Sequence, residues 1–366
     1  MKIYFPVLCY FPSQAGGPAN TIFWLNEELA RVGCSCSVTS TFFGLNNSEE
    51  INFQLYHPLN SVRFVKRISG FFRLSEVKRI VSCDIIHFSS LFFKPTFFFI
   101  VLAFLLKKEI VLSPRGELYP DALQKSSKKK SFFLFILQFF SKYIRFHATN
   151  EIEKGLIEFH FPKNKGITII PNYIPVEDLR RVNQKYQILF LGRINEIKNV
   201  HVIIQALENL KNNLVSSPKL VIAGKAELES EKKYLNHLKN EILQRGLEND
   251  IEFVGQVSGE QKLILIQESL CTILPSKSEN FGNVVLESLM MGTPVIASKG
   301  TPWNILNQKN AGYWIDADPI EISDRITKII QMSKSEYLQM RNNSRSFVLD
   351  EFDIKKNINK WLEFYN

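Results

Sequence analysis

Apolar and polar positions recur along this chain in a strand, loop and helix order. Short runs of consecutive apolar residues, such as KIYFPVLCY at 2–10 and CDIIHFSS at 83–90, predict buried strands. Segments such as TIFWLNEELARVG at 21–33, where apolar residues are spaced three and four apart, predict helices between them. Strands of this kind that alternate with helices are typical of parallel sheets covered on both faces.

The pattern occurs twice, with a break near residue 180. The segment PVEDLRRVNQKY at 175–186 lacks it, and QILFLGR at 187–193 then begins a second series of strands and helices. The sequence therefore predicts an α/β protein with two facing Rossmann-like domains, which comprise residues 1–180 and 181–346. In such folds, ligands bind at the carboxyl ends of the strands, in the cleft between the domains.

Charge and aromatic residues are concentrated in the first half. Residues 1–184 hold 23 Lys and Arg against 14 Asp and Glu, and 24 of the 30 Phe, whereas residues 185–366 hold 22 basic and 22 acidic residues. A basic half points to an anionic partner. We expect no nucleic acid partner, because no binding module is recognisable and the Phe residues cluster with Leu and Ile instead of forming a stacking platform.

Two segments combine these features. The apolar part of KPTFFFIVLAFLLKK at 94–108 is too short to cross a bilayer, which needs about 20 apolar residues. The segment Lys128–Phe146, KKKSFFLFILQFFSKYIRF, is predicted to be a helix whose polar residues form one narrow stripe: Ser131, Gln138, Lys142 and Arg145. Both segments fit core helices packed on a sheet, and they also fit a surface that lies in anionic lipid headgroups.

The cysteines indicate a reducing compartment. The chain has five: Cys9, Cys34, Cys36, Cys83 and Cys271. They form no Cys-x-x-Cys motif and have no His at zinc-like spacing, so they predict free thiols in a cytoplasmic protein. Cys34 and Cys36 fit a strand edge better than a metal site. The apolar N-terminus is short and contains Pro6, which favours a first strand over a signal peptide.

Loops at predicted strand ends carry the candidate chemistry. Gly16 and Gly17 lie between the first strand and the first helix, where a backbone can approach an anion at the helix N-terminus. LGRINEIKNV at 191–200 places Arg193 and Lys198 between a strand and a helix. Two such cations suit a diphosphate, although they also fit a solvated surface. No intact G-x-G-x-x-G is present, so the sequence does not support a classical NAD site.

A third loop holds two glutamates, Glu279 and Glu287, in SENFGNVVLES at 278–288. The helix is predicted to begin near Gly282, so its first backbone N–H groups can bind sugar hydroxyls or phosphate oxygens. Glu279 precedes the helix at its positive end. Glu287 lies more than one turn inside an apolar helix, where a charged side chain needs a partner. A carboxylate there suits a vicinal diol.

The Glu-x7-Glu pattern within PSKSENFGNVVLESLMMGTPVIAS, residues 275–298, resembles the signature of retaining family-four glycosyltransferases. The resemblance extends over nearly the whole chain, through LGRINEIKN, KLVIAGKAE, IEFVGQV and IIPNYIPV in and near the second half. In the first half, GGPANTIFWLNEELARVG, DIIHFSS, SPRGEL and HATNEIE are similar to bacterial members of this family. Two positions differ from the family pattern, since Asn199 and Tyr173 stand where glycine is usual.

The resemblance implies the GT-B fold, with a nucleotide-sugar site in the second domain and a C-terminal helix, about 347–366, that crosses back to the first. It implies that Arg193 and Lys198 grip the donor diphosphate, and that Glu279 contacts the transferred sugar; these are the three expected catalytic residues. The expected donor-binding residues are Gly16, Gly17, Arg193, Lys198, Glu279, Phe281, Gly282, Asn283, Val284 and Glu287, with Glu287 on the ribose. The expected acceptor contacts lie at strand ends of the first domain: His87, which also fits a structural role, Arg115, Glu117 and Asn150.

The function implied is transfer of a sugar, with retention of configuration, from a UDP- or GDP-linked donor to a lipid-linked or oligosaccharide acceptor. The family context suggests cell-surface polysaccharide synthesis, such as lipopolysaccharide, capsule or exopolysaccharide. No metal or other cofactor is expected. We expect a cytoplasmic enzyme, which is peripheral on the inner face of the cytoplasmic membrane if Lys128–Phe146 binds lipid.

Other classes remain open. Asp316 and Asp318 form an Asp-x-Asp motif that a metal-dependent GT-A transferase would use, although Asp318 before Pro319 also fits a helix cap. A nucleotide-sugar 2-epimerase with the same double fold would release UDP without an acceptor, but Glu-x7-Glu is not its usual mark. A binding module without catalysis leaves the four charged residues of the candidate donor site unexplained.

Overall fold

The chain forms two compact units in the computed structural model. The first comprises Met1–Pro175 and Ile354–Asn366, and the second comprises Val176–Asp353. The sequence predicted the first boundary at 180 and the return of the chain near 347. The structure describes these residues: 1–13, 16–45, 51–124, 127–213 and 216–366.

The first unit is built on a parallel sheet, which has seven strands among the described residues. They are β1 (Lys2–Pro6), β2 (Ser35–Thr41), β3 (Ser61–Val65), β4 (Ile85–Phe88), β5 (Glu109–Leu112), β6 (Ile144–Ala148) and β7 (Gly166–Ile169). Their order is β3-β2-β1-β4-β5-β6-β7, and every neighbouring pair is parallel. The direction of winding reverses between β1 and β4, which is where ligands bind in open sheets of this type.

Helices cover this sheet and bury its apolar strands. They are α1 (Gly17–Arg31), α2 (Leu74–Ser82), α3 (Lys94–Leu105), α4 (Pro120–Gln124), α5 (Ser127–Phe140), α6 (Glu151–His160) and the C-terminal α14 (Ile354–Tyr365). The core of the unit is rich in aromatic residues and includes Phe71, Phe88, Phe146 and Phe161. The helix α14 packs against α1, so the expected return of the last helix to the first unit is confirmed.

The second unit repeats the design with six strands in the part of the chain that is described. They are β8 (Gln187–Leu191), β9 (Lys219–Ala223), β10 (Ile251–Gly255), β11 (Cys271–Leu274), β12 (Val295–Ser298) and β13 (Gly312–Ile315). The order is β10-β9-β8-β11-β12-β13, again parallel throughout. The reversal lies between β8 and β11, so the two loops that follow these strands begin side by side.

The helices of the second unit follow the predicted periodicity. They are α7 (His201–Asn213), α8 (Glu229–Gln244), α9 (Gly259–Glu268), α10 (Asn283–Met290), α11 (Ile305–Gln308), α12 (Pro319–Ile330) and α13 (Lys334–Glu351). The inner face of α7 shows the three-and-four spacing of an amphipathic helix, because Ile203, Ala206, Leu207 and Leu210 are buried. Together with the strand orders given above, the two predicted parallel sheets are confirmed.

Two details differ from the prediction. The sequence did not predict the edge strands β3 and β13. In β3, SVRFV, Arg63 interrupts the apolar residues, and β13, GYWI, has only four residues, so neither gives a continuous apolar run. The helix predicted over Lys128–Phe146 ends at Phe140, and a 3-10 helix leads into β6. Arg145 consequently lies in a strand, and its guanidinium donates to the carbonyl oxygens of Phe364 and Tyr365 at 2.7 and 2.9 Å.

The apolar helices α3 and α5 each bury one face and expose the other. Phe99, Ile100 and Leu137 belong to the core of the first unit. Phe98 and Phe132 are 57% and 67% exposed. Within the described residues, no helix has both the length and the apolarity needed to span a bilayer.

Candidate functional site

The predicted donor-site residues of the second unit gather on two neighbouring loops. The strands β8 and β11 pair directly, with Ile188 opposite Cys271. The loop after β8 carries Arg193 and Lys198, and the loop after β11 carries Glu279. A backbone hydrogen bond of 2.8 Å from the N–H of Lys277 to the carbonyl of Ile197 joins the two loops. The parallel register therefore brings together residues that are about eighty positions apart.

Lys198 and Glu279 form an ion pair at this edge of the sheet. The Nζ atom of Lys198 contacts Oε2 of Glu279, and the two side chains are 18% and 19% exposed. The hydroxyl of Ser276 donates to the same carboxylate oxygen at 3.4 Å. An ammonium group has three donors, so Lys198 can keep its contact with Glu279 and still bind an anion.

Asn199 explains one departure from the family pattern. It ends the 3-10 helix Glu196–Lys198 in the left-handed conformation, with φ 59° and ψ 34°. Glycine reaches this region at no steric cost, and asparagine is among the few other residues that visit it routinely. The replacement of the usual glycine therefore preserves the backbone that places Lys198. Tyr173, the other departure, is buried in the first unit with Lys360 over its ring at 5.6 Å.

Two glycines fix the backbone around Glu279. Gly282 caps α10 with φ 81°, and a Cβ atom there would lie 3.2 Å from Cγ of Glu279. A Cβ atom on Gly300 would lie 2.3 Å from the carbonyl oxygen of Ser276, so that only glycine fits. The Gly300 carbonyl in turn accepts the N–H of Glu279 at 2.9 Å. The backbone position of Glu279 is thus constrained by Gly282 on one side and by Gly300 on the other.

The start of α10 supplies the predicted main-chain donors. Asn283 and Val284 are its first two residues, and Gly282 provides no side-chain cap. The ring of Phe281 packs edge-on against Trp303 with centroids 5.2 Å apart, and the Trp303 indole N–H donates to the Phe281 carbonyl. The sequence assigned no role to this buried indole, which anchors the segment that precedes the helix.

Glu287 has the partner that its position demanded. It is 8% exposed, and Nζ of Lys262 donates to its Oε1 at 2.7 Å. Lys262 lies on α9, 25 residues earlier in the chain, and no sequence signal connects the two residues. The contact occupies one carboxylate oxygen, so the group retains capacity to accept further hydrogen bonds.

Arg193 is the most exposed of these cations. Its side chain is 56% exposed, and Nη1 lies 3.7 Å from Oε1 of Glu231, a buried residue of α8. Burial alone would raise the pKa of Glu231, but hydrogen bonds from the backbone N–H groups of Glu227 and Leu228 and the Arg193 charge hold that pKa below its usual value. A long, exposed pair of this kind is weak, so Arg193 can move to a ligand.

The glycine pair of the first unit lies at the start of α1. Gly17 is the first residue of α1, and Gly16 precedes it as the cap with φ 138°. Gly16 itself has no side chain with which to cap α1. Their expected contact with donor phosphates stays a prediction.

His87 belongs to a buried chain of hydrogen bonds. The carbonyl of Ile170 accepts from Nε2 of His147 at 2.7 Å, so the hydroxyl of Ser113 donates to Nδ1 of His147 at 2.8 Å. Nε2 of His87 then donates to Ser113 at 2.7 Å, and the Tyr365 hydroxyl donates to Nδ1 of His87 at 2.7 Å. Both ring nitrogens of His87 are engaged within the first unit, which favours its structural interpretation.

Burial and the nearby Arg115 charge lower the pKa of both histidines, that of His147 to about 3. Glu117 and Asn150 also make local contacts. Glu117 accepts hydrogen bonds from Ser90 Oγ at 2.6 Å and from the N–H of Phe92 at 3.3 Å, and burial raises its pKa. Asn150 caps α6. Their acceptor roles stay predictions.

The Asp-x-Asp motif has a structural explanation. Oδ1 of Asp318 accepts the N–H groups of Ile320 and Glu321 at 2.9 and 3.0 Å, and thus caps α12 as expected. Asp316 pairs with Lys299 at 2.7 Å. In the described part of the chain, no cluster of three or more His, Cys, Asp or Glu has an arrangement suited to a metal.

Comparison with known proteins finds a family model that matches the second unit. Residues 176–347 match the model described as glycosyl transferases group 1. The alpha-1,3/1,6-mannosyltransferase ALG2 of Homo sapiens is 29% identical over 176 residues, which cover 45% of this chain and 42% of that protein. The uncharacterized glycosyltransferase MJ1069 of Methanocaldococcus jannaschii is 24% identical over 329 residues, which cover 84% of this chain and 80% of that protein.

Solved structures show the fold. Anabaena HepE in complex with UDP-glucose superposes with a TM-score of 0.78 at 16% identity, and the match covers 99% of each chain. This similarity supports the two-unit architecture. The present chain spans about two fifths of the length of the human relative that it matches.

Proposed function

Because residues 176–347 match the family model of the glycosyl transferases group 1, we propose that this chain is a retaining, metal-independent glycosyltransferase. It moves a sugar from a nucleotide-sugar donor to a glycan acceptor. The observation that carries the proposal is the Lys198–Glu279 pair beside the start of α10, at the reversal point of the second sheet. An anion site and a sugar-binding carboxylate adjoin there.

The donor diphosphate binds Arg193 and Lys198 in this proposal. Both cations flank the carboxyl end of β8, and the N-terminus of α10 adds main-chain donors and a partial positive charge. As the bond to the sugar breaks, negative charge grows on the departing phosphate. Fixed cations stabilise that charge more than they stabilise the bound donor, and this difference lowers the barrier.

The two glutamates have different roles. Glu279, which is held by Gly300 and Lys198, contacts the transferred sugar near its reacting carbon. Glu287, which is buried and held by Lys262, accepts hydroxyl groups of the ribose. We therefore expect Glu279→Ala to lower turnover mainly, and Glu287→Ala to weaken nucleotide binding mainly.

No side-chain nucleophile is required by this mechanism. The leaving nucleotide's own phosphate oxygen takes the proton from the acceptor hydroxyl, and the acceptor attacks on the face that the nucleotide leaves. The acidic pair therefore does not act as the two carboxylates of a glycoside hydrolase do.

A thermal-shift panel tests the donor site. Purified protein is mixed with UDP, GDP, ADP and their common sugar conjugates, in buffer that contains EDTA. A ligand that binds only the folded state raises the melting temperature by mass action. We expect one nucleotide family to give a shift, and we expect Glu287→Ala to reduce it. A site that responds to no nucleotide without added metal would contradict the proposal.

Product analysis separates the transferase from the 2-epimerase. The matching donor is incubated with and without an extract of glycan acceptors, and free nucleotide is measured. A transferase releases nucleotide chiefly when an acceptor is present, and the sugar appears in the product with its anomeric configuration retained. Release of UDP together with an epimerised sugar, independent of acceptor, would favour the epimerase.

We further propose a lipid-linked acceptor in cell-surface polysaccharide synthesis and a peripheral position on the inner face of the cytoplasmic membrane. The support is a surface that we call the aromatic face, the exposed side of α3 and α5. It comprises Phe98, Phe104, Leu105, Phe132, Phe135 and Phe139. The ring of Phe104, at the end of α3, packs against the rings of Phe140 and Tyr143, with centroids 5.7 and 4.7 Å apart. The exposed sides of the two helices are therefore continuous.

Basic residues border the aromatic face. Lys128 and Lys129 are exposed at the start of α5, and Lys130 lies over the ring of Phe92 at 4.9 Å. Aromatic side chains next to lysines suit the boundary between acyl chains and anionic headgroups. Such binding would bring the first unit to a lipid-linked acceptor.

A further inference from the structure

Arg115 of the first unit is held in an unusual conformation at the carboxyl end of β5. It follows Ser113 and Pro114 and has φ 50°, in the left-handed region that long side chains rarely adopt. The next residue, Gly116, continues with φ 86° and donates its N–H to Glu153 at 2.7 Å. Such backbone conformations persist only where the surroundings impose them, and they concentrate at functional sites.

The side chain of Arg115 is partly buried and forms no ion pair among the described residues. Its Nε and Nη2 atoms are shielded from solvent and have no hydrogen-bond partner among the described residues. Nη1 makes a long contact of 3.4 Å with Oδ1 of Asn172. Burial lowers the pKa of Arg115, and the charge of the nearby Glu153, whose carboxylate accepts from Gly116 and Thr149, acts in the opposite direction.

This arrangement is costly unless an anion binds. Arginine does not lose its proton in proteins, so burial cannot be relieved by neutralisation. The neighbouring His87 and His147 are uncharged acceptors and donors already engaged with each other through Ser113. A buried charge with open donors normally has a paired charge or a ligand.

A second group at the same edge lacks a partner. The strands β4 and β5 are neighbours, with Phe88 opposite Leu112. The hydroxyl of Ser89, directly after β4, is buried and has no hydrogen-bond partner in the described part of the chain. Ser89 and Arg115 thus follow adjacent strands next to the reversal point of the first sheet, where ligands of parallel sheets bind.

We propose that Arg115, with the hydroxyl of Ser89, forms a binding site for an oxyanion, a phosphate or a carboxylate group. The planar guanidinium offers two adjacent N–H donors, Nε and Nη2, which match the two oxygens of such a group in a bidentate contact. This inference deepens the proposed function, on which it rests for its occupant: the anion is the phosphate of a lipid-linked acceptor or the carboxylate of an acidic sugar.

Anion binding to the full-length chain tests the site. Because Arg193 and Lys198 also attract phosphate, the background is the double variant Arg193→Gln/Lys198→Gln. Melting is followed with sodium phosphate, with sodium glucuronate, and with sodium chloride at equal ionic strength. We expect phosphate or glucuronate to raise the melting temperature by about 2–4 °C at ten times its dissociation constant. The anion that does so identifies the acceptor's charged group.

Variants of Arg115 decide whether the shift belongs to this site. Adding Arg115→Gln should abolish the response. Arg115→Lys keeps the charge but loses the bidentate geometry, so it should weaken the affinity several-fold. Arg31→Gln on the exposed face of α1 is the matched control and should retain the full response. Equal responses in the Arg115 and Arg31 variants, or no shift beyond chloride in the background, would overturn the proposal.

Stability without added anion provides an independent check. Shielded N–H groups without a partner on a charged side chain destabilise the folded chain, so Arg115→Gln should melt at the same temperature or higher in chloride buffer. A melting temperature lower by several degrees would show that Arg115 stabilises the fold, and it would contradict the proposed anion site. These measurements need no sugar transfer. A chain that binds phosphate through Arg115 but transfers no sugar would refute the proposed function alone.

Discussion

The two units have the same kind of parallel sheet, but they differ in whether the cations at the strand ends are paired. In the second unit, where 21 Lys and Arg stand against 23 Asp and Glu, the site cations are already paired: Arg193 with Glu231, Lys198 with Glu279, and Lys262 with Glu287. In the first unit, where 24 Lys and Arg stand against 13 Asp and Glu, the partly buried Arg115 forms no ion pair among the described residues.

The difference teaches how each unit would meet a ligand. Paired cations are neutralised before a donor binds and can exchange one anion for another, so they suit a substrate that is replaced in every cycle. An unpaired cation favours an anionic ligand from the start. The basic and aromatic surface of the first unit adds a long-range attraction to anions that the second unit lacks.

The largest expected effect is on turnover through the second unit. Glu279→Ala should lower kcat by about 100- to 1,000-fold, because a preorganised group next to the reacting carbon is removed. The donor KM should change far less. Steady-state rates with the matching nucleotide sugar measure both constants.

Glu252→Ala, an exposed carboxylate of β10 in the same unit, is the control and should be active. If Glu279→Ala retains full turnover, the assignment of the transferred sugar to this residue is wrong.

Membrane binding should depend on the first unit alone. Replacing Lys128, Lys129 and Lys130 with Gln should reduce partitioning to anionic vesicles by about 100-fold at low salt, at about 1 kcal/mol for each lysine. Flotation with vesicles that contain phosphatidylglycerol measures the bound fraction.

The matched control removes the same charge from exposed lysines of α8: Lys232, Lys233 and Lys239. Equal losses in both triple variants would show a general charge effect, and no flotation of the unaltered chain would remove the membrane proposal.

As the pH is lowered, the first unit should be destabilised at a higher pH than the second. The buried His87 and His147 have lowered pKa values, so the unfolded chain takes up protons below about pH 6.5 that the folded unit refuses. Their contribution to the free energy of unfolding is present above that pH and is lost as the pH falls. Between about pH 7.5 and pH 5.5, two such residues together lower the free energy of unfolding by about 3 kcal/mol.

Hydrogen exchange followed by mass spectrometry, with correction for intrinsic rates, compares the two units directly. We expect protection in β4 to β6 and α14 to fall first, because the histidine chain joins these elements. Protection that is independent of pH in the first unit would contradict the buried neutral histidines.

The smallest expected effect concerns a residue that acts through another. Lys262→Met removes the donor that holds Glu287 and should weaken nucleotide affinity by about fivefold, equivalent to about one hydrogen bond. Titration calorimetry with the matching nucleotide measures the change, and kcat should be nearly unaffected.

Lys233→Met, an exposed lysine of α8, is the control. If Lys262→Met binds nucleotide as the unaltered chain does, Lys262 does not position Glu287.

Local patterns predicted much of the fold and part of the site. Continuous apolar runs identified the central strands, and spacing identified the helices, because burial on one or both faces leaves a periodic mark in the sequence. Asp318 before Pro319 predicted a helix cap, and α12 begins there. The strand β3 was not predicted in this way, because Arg63 interrupts its short apolar run.

Contacts between distant segments could not be predicted in the same way. The sequence required a partner for Glu287, but the packing of α9 beside α10 selected Lys262. It also left His87 open to two roles, and the hydrogen bond from Tyr365, 278 residues later, favours the structural one.

By itself, then, the sequence determined the alternation of strands and helices, the two domains and the loops that carry charge, since each follows from the properties of neighbouring residues. Only the tertiary structure decided which charges are paired. Ion pairing depends on distances of a few ångströms between side chains from different elements, and these distances are set by strand order and parallel register. For this reason Lys198 and Glu279 meet while Arg115 has no ion partner among the described residues.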